Sequence, residues 1–181
     1  MPTTGGIRLA LLKAAASACQ KVGLPTKSAA MSLITPRLLI TDDDRDFRET
    51  LAGALQDRGF DTLQAADGEE ALNIVCRQEV HLLLLDMQMP RLSGLEMIER
   101  LRGLGGHSIM PTFASSGDGD ARPTNRIALP WILISGALDE QLIARARAAA
   151  AFSVLPKPVR LPELTGAVTG ALAQVYGWRA A

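Results

Sequence analysis

A small set of polar residues in this chain is of the types that handle phosphate and metal ions: the acidic run Asp42-Asp43-Asp44, the lone Asp86, Ser135 and Lys157. Each stands at the end of an apolar stretch or one residue beyond it: Leu38-Leu39-Ile40, Leu82 to Leu85, Trp131 to Ile134, and Val154-Leu155. Carboxylates gathered at one place repel one another and raise each other's pKa. A hard divalent cation relieves that repulsion; Mg2+ takes oxygen ligands and keeps several waters, so a few carboxylates suffice. The Lys157 ammonium would neutralise part of the remaining charge. A metal beside a carboxylate, with a lysine and a hydroxyl, suits phosphoryl transfer, in which positioning and charge neutralisation dominate. A carboxylate can itself be the nucleophile and become an aspartyl phosphate.

For these side chains to meet, the elements before them must end side by side. From Arg37 onward the pattern alternates between short apolar runs and helical periods. Arg37–Thr41 reads as a strand, and Phe47, Leu51 and Leu55 recur on one face of a helix from Asp46 to about Arg58, closed by Gly59. Phe60–Ala65 is a second strand, and Asp67-Gly68 opens a helix with Ala71, Leu72 and Val75 inward. Val80–Leu85 is continuously apolar apart from His81, as a strand covered on both faces must be. A third helix is predicted over about Gly94–Arg102, a fourth strand over Trp131–Ile134, a fourth helix over Asp139–Ala150 and a fifth strand over Phe152–Leu155. Pro162 stands in the first turn of a last helix with Leu164, Val168, Leu172 and Val175 inward. Five β–α units imply an α/β fold: a doubly wound parallel sheet with helices on both faces. Ligands of such sheets bind at the carboxyl ends of the strands, where all the polar residues named above fall.

Composition narrows the function classes. Lys+Arg and Asp+Glu both number 19, so no basic surface spread over the whole chain is expected and direct DNA binding is not. The balance conceals an asymmetry: Arg8, Lys13, Lys21 and Lys27 precede the first acid, Asp42, which leaves the rest of the chain net acidic. Aromatics make up only 4%, so the core must be aliphatic. Cys19 and Cys76 form no C-x-x-C pair, and Cys76 falls among apolar helix positions as a buried thiol, which fits a reduced, cytoplasmic setting. No uncharged apolar stretch is long enough to span a membrane. Leu9–Cys19 has some features of an export signal, but Lys13 breaks its apolar run. Met31, just ahead of the first strand, is an alternative start.

Taken in order, Leu39-Ile-Thr-Asp42-Asp43-Asp44, Asp86-Met-Gln-Met-Pro90-Arg-Leu-Ser-Gly94, Ile132-Leu-Ile-Ser135-Gly136 and Leu155-Pro-Lys157-Pro158 resemble the receiver domains of two-component response regulators, of the single-domain chemotaxis type. The resemblance covers about residues 36–176, apart from residues 103–128. It implies a flavodoxin-like sheet with strand order 2-1-3-4-5. It implies that Asp86 is the phosphoacceptor, that Asp43, Asp86 and the backbone carbonyl of Gln88 bind Mg2+ directly, and that Asp42 acts on it through water. Ser135 resembles the switch hydroxyl and Lys157 the lysine that pairs with a phosphoryl oxygen. It further implies a histidine kinase or histidine phosphotransfer protein as donor, an unknown downstream partner, no membrane association, and a phosphorelay signalling role rather than enzymatic turnover.

The same residues admit other readings. A haloacid-dehalogenase-type phosphohydrolase shares the doubly wound sheet and an aspartyl nucleophile, with Asp42-x-Asp44 as its strand-end pair; Asp46 and the absence of a late acidic pair after Lys157 speak against it. A degenerate receiver serving only as a docking module is the third. Asp44 alone reads as a solvated first-turn acid, and His81 and His107 as structural and solvated respectively. One departure from the family is Val154, where receivers often carry an aromatic residue three positions before the lysine. Period-2 alternation would put Phe152 on the same face as Val154, as a partial substitute. The other departure is an aperiodic Gly-, Ser- and Pro-rich insertion at about 104–127, which belongs at the end of the sheet opposite Asp86. Residues 1–35 are expected to be a basic extension, partly helical (7–22, with Leu9, Leu12 and Ala16 as an apolar stripe) or disordered, and 177–181 a short tail.

Overall fold

The computed structural model describes residues 35–103 and 129–179. Residues 1–34, with Cys19 and the proposed helix, lie outside that range, as do residues 104–128 with His107. Five strands, β1 (Arg37–Thr41), β2 (Asp61–Ala65), β3 (Leu82–Asp86), β4 (Trp131–Ser135) and β5 (Ser153–Pro156), alternate with five helices. These are α1 (Arg45–Gln56), α2 (Gly68–Arg77), α3 (Gly94–Gly103), α4 (Glu140–Ala148) and α5 (Leu161–Tyr176). All strand pairs are parallel and the order is β2-β1-β3-β4-β5, as the sequence led us to expect.

Strand alternation divides the core between two faces. Leu82 and Leu84 join Leu38, Ile40, Ile132 and Ile134 against α1 and α5. Leu83 and Leu85 join Leu39, Trp131 and Leu133 against α2, α3 and α4. Every residue of β3 and β4 is buried, which is why these strands read as unbroken apolar runs rather than alternating ones. Polar side chains fix where the helices begin. Asp44, Asp67 and Asp139 cap α1, α2 and α4, accepting backbone N–H groups of the first turns. The C-cap of α5 is Gly177, at φ 70°, a conformation that costs glycine little.

Phe152 does not share a face with Val154. Phe152 precedes β5 at a bend, so the period of 2 does not extend back to it; it packs with the α1/α5 core, whereas Val154 packs with the α2–α4 core. A Cβ on Gly170 of α5 would meet the Phe152 ring at 3.4 Å, so the ring is seated against that helix. Phe152 therefore cannot stand in for an aromatic at position 154. His81 lies just before β3 and not in it. It is buried; its Nδ1 accepts the Arg37 N–H at 3.0 Å, and its ring meets Tyr176 edge-on at 5.8 Å, a structural role as expected. Among the described residues no helix is long and apolar enough to cross a membrane.

Candidate functional site

Sheet register brings the site together. Thr41 pairs with Leu85, so Asp42, the next residue, stands level with Asp86 on the neighbouring strand. Ser135 pairs with Pro156, so Lys157 follows directly beyond β5. Four of the expected residues converge on one point. Carboxylate oxygens of Asp42, Asp43 and Asp86 lie within 4.8 Å of one another. Lys157 Nζ bridges two of them, 2.7 Å from Asp42 Oδ2 and 3.0 Å from Asp86 Oδ1. Asp42 and Asp86 are buried, Asp43 is exposed, and the lysine is three-quarters covered.

Burial raises the pKa of Asp86; Lys157 opposes the rise and Asp42 adds to it. Burial alone would lower that of Lys157, but its hydrogen bonds to Asp42 and Asp86 outweigh this and hold it above the ordinary lysine value. The ammonium thus stays charged beside a carboxylate that is costly to ionise. All donors in the cluster are oxygens, two of them on buried acids sharing one cation, and that set suits a hard divalent ion.

The surrounding loops aim these groups. Asp42 Oδ1 accepts the Asp44 N–H at 3.0 Å, and the Arg48 guanidinium donates to the Asp42 carbonyl. Asp86 Oδ2 accepts the Gln88 N–H at 2.9 Å, so Gln88 touches the acceptor through its backbone, while its side chain is exposed. Ser135, also buried, exchanges hydrogen bonds with Ala137 within its own loop, at 3.3 Å in each direction, rather than with the carboxylates.

Two features of the loop after β3 escaped sequence reading. Arg91, at φ 68°, pairs with the buried Asp67, tying the loop to the start of α2. Gly94 lies so close to the Asp86 carbonyl that a Cβ there would collide with it. The glycine was visible as part of the family string; the Arg91–Asp67 contact joins two loops with no periodic signal. Asp44, by contrast, is not drawn into the carboxylate cluster: its Oδ1 accepts the N–H groups of Asp46 and Phe47. That removes the second carboxylate an Asp42-x-Asp44 hydrolase pair requires.

A doubly wound sheet in this order, with carboxylates and a lysine at its carboxyl edge, defines a receiver. Residues 38–169 match the response regulator receiver domain family, and the chain belongs to it. A response regulator receiver protein of Anaeromyxobacter sp. (strain Fw109-5) is 33% identical over 71% of this chain and 45% of its own length. Response regulator MprA of Mycobacterium tuberculosis is 45% identical over 38% of this chain and 30% of its own length. The chain thus spans less than half the length of these curated relatives. The crystal structure of a response regulator receiver protein from Pseudomonas putida superposes with a TM-score of 0.61 at 28% identity, over 76% of this chain and 98% of that one. The chain is a receiver domain of two-component signalling, and the phosphohydrolase alternative is not favoured.

Proposed function

We propose that Asp86 accepts a phosphoryl group from a histidine kinase or histidine phosphotransfer protein, and that the chain, a receiver unit over residues 36–176, signals through a partner protein in the cytoplasm. The observation that carries this reading is the ammonium of Lys157 held between Asp42 and Asp86 with Asp43 alongside. In the transfer the bond from phosphorus to the donor imidazole nitrogen breaks as a bond from phosphorus to an Asp86 carboxylate oxygen forms. The imidazole keeps the electron pair of the broken bond and takes up a proton. Asp43, Asp86 and the Gln88 carbonyl would hold Mg2+, with Asp42 acting through water; the ion supplies charge neutralisation for the phosphoryl oxygens.

The chain's own residues do the rest. Lys157 turns from the Asp86 carboxylate to a phosphoryl oxygen, which carries more charge. Ser135 gives up its hydrogen bonds to Ala137 for one to another phosphoryl oxygen and draws the following loop with it. Two pre-existing arrangements of residues 136–139 and the start of α4 are thereby shifted in population. With Val154 packed in the α2–α4 core, the signal is read in that loop and not by a rotating aromatic.

Incubation with acetyl phosphate tests the reading. The expected result is one Mg2+-dependent phosphoryl group per chain with slow self-hydrolysis. Sustained turnover of phosphomonoesters, or no labelling with Mg2+ present, would contradict it.

A further inference from the structure

The Lys157 ammonium has a third neighbour besides its two carboxylates. Its Nζ stands 4.6 Å from the centroid of the Phe47 ring, inside the ~6 Å over which an aromatic face attracts a cation. Phe47 is half-buried in the first turn of α1, where the N-cap Asp44 binds its backbone N–H at 3.1 Å. The next residue, Arg48, grips the Asp42 carbonyl. One turn of α1 therefore holds the site at two points, through Arg48 on Asp42 and through the Phe47 ring on Lys157.

The ring differs from the carboxylates in what happens to it during transfer. Asp42 and Asp86 are the groups that a divalent cation and a phosphoryl group would engage, and the contact of Lys157 with Asp86 would then give way to one with a phosphoryl oxygen. The Phe47 ring accepts neither cation ligation nor phosphorus. Its attraction for the ammonium would not depend on the phosphoryl group, and it offers no anion to compete with a phosphoryl oxygen. A lysine stem carries much rotamer freedom, so a neighbour present throughout limits how far the ammonium can stray.

We infer that Phe47 is a positioning residue for phosphoryl transfer: its ring is the seat that keeps Lys157 Nζ beside Asp86 while the carboxylate partners change. This role rests on the reading of Asp86 as acceptor.

The test compares the full-length chain with Phe47→Leu, which keeps apolar bulk but has no ring, and Phe47→Tyr, which keeps the face. In the metal-free protein, the Lys157 ε-methylene protons should show an upfield ring-current shift in wild type and Phe47→Tyr that is lost in Phe47→Leu. With Mg2+ and acetyl phosphate, Phe47→Leu should be labelled about three- to tenfold more slowly, and Phe47→Tyr within about twofold of wild type. If Phe47→Leu loses its fold, Phe47→Met carries the same expectation. An unshifted Lys157 methylene in wild type, or a folded ringless variant labelled as fast as wild type, would overturn the inference and leave the acceptor reading intact. No labelling of wild-type Asp86 would remove the acceptor reading itself, and this role with it.

Discussion

The backbone carbonyl of Asp86 lies against the Cα of Gly94, at the start of α3, with no room between them for a methyl group. The loop from Met87 to Ser93 therefore leaves the end of β3 and returns to it, and the second contact fixes the peptide that carries the acceptor. Gly94→Ala must push that peptide or the start of α3 aside. A destabilisation of about 1–3 kcal/mol is expected, as for other overpacked sites, together with slower labelling. Urea unfolding and acetyl phosphate kinetics measure the two effects; an alanine variant with wild-type values for both would contradict the close approach.

Asp43 and Asp44 are adjacent and both exposed, yet they do different work. Asp43 contributes to the carboxylate cluster, whereas Asp44 caps α1. Asp43→Ala should weaken Mg2+ binding severalfold and leave stability nearly unchanged. Asp44→Ala should cost about 1 kcal/mol of stability and affect Mg2+ binding less. Mg2+ titration by NMR and thermal unfolding separate the two, and equal Mg2+ affinities in the two variants would remove Asp43 from the ligand set.

Burial lowers the pKa of His81 and the charge of Arg37 adds to that, against the pull of Glu79, the Arg37 backbone hydrogen bond and Asp61. The folded state thus keeps His81 neutral where the unfolded chain already takes up a proton. Stability from this residue is complete above its unfolded value of about 6.5 and is lost as pH falls from there through the lower folded value. An NMR titration of His81 should have its midpoint below 6.5, with the proton on Nε2 above it, because Nδ1 accepts the Arg37 N–H. A midpoint at or above 6.5 would show that His81 is not buried as described.

Much of the site was legible because each polar residue ends an apolar run. In a parallel sheet covered on both faces, the first polar residue after such a run marks the strand's carboxyl end, and register does the rest. Leu82–Leu85 before Asp86 and Trp131–Ile134 before Ser135 are the plainest cases. Periodicity failed at Phe152, where a bend breaks the alternation and sends the ring to α5 while Val154 faces the opposite core. Contacts between loops were not legible at all. Nothing in Asp67 or Arg91 announces their pairing, and nothing in the helical pattern of Phe47, Leu51 and Leu55 tells that the first of them turns its face to Lys157.

Asp86 is the proposed phosphoryl acceptor, and Asp86→Asn tests that role without disturbing the fold. Because burial raises the pKa of Asp86, its ionisation opposes folding, and a neutral amide of the same shape should leave the protein at least as stable at neutral pH. The deciding measurement is acetyl phosphate labelling with Mg2+, followed by borohydride trapping of the acyl phosphate and mass-spectrometric mapping. Wild type should be modified at Asp86 alone, and folded Asp86→Asn should show no stoichiometric label. Undiminished labelling of Asp86→Asn, or trapping at another carboxylate in wild type, would place the acceptor elsewhere and contradict the account.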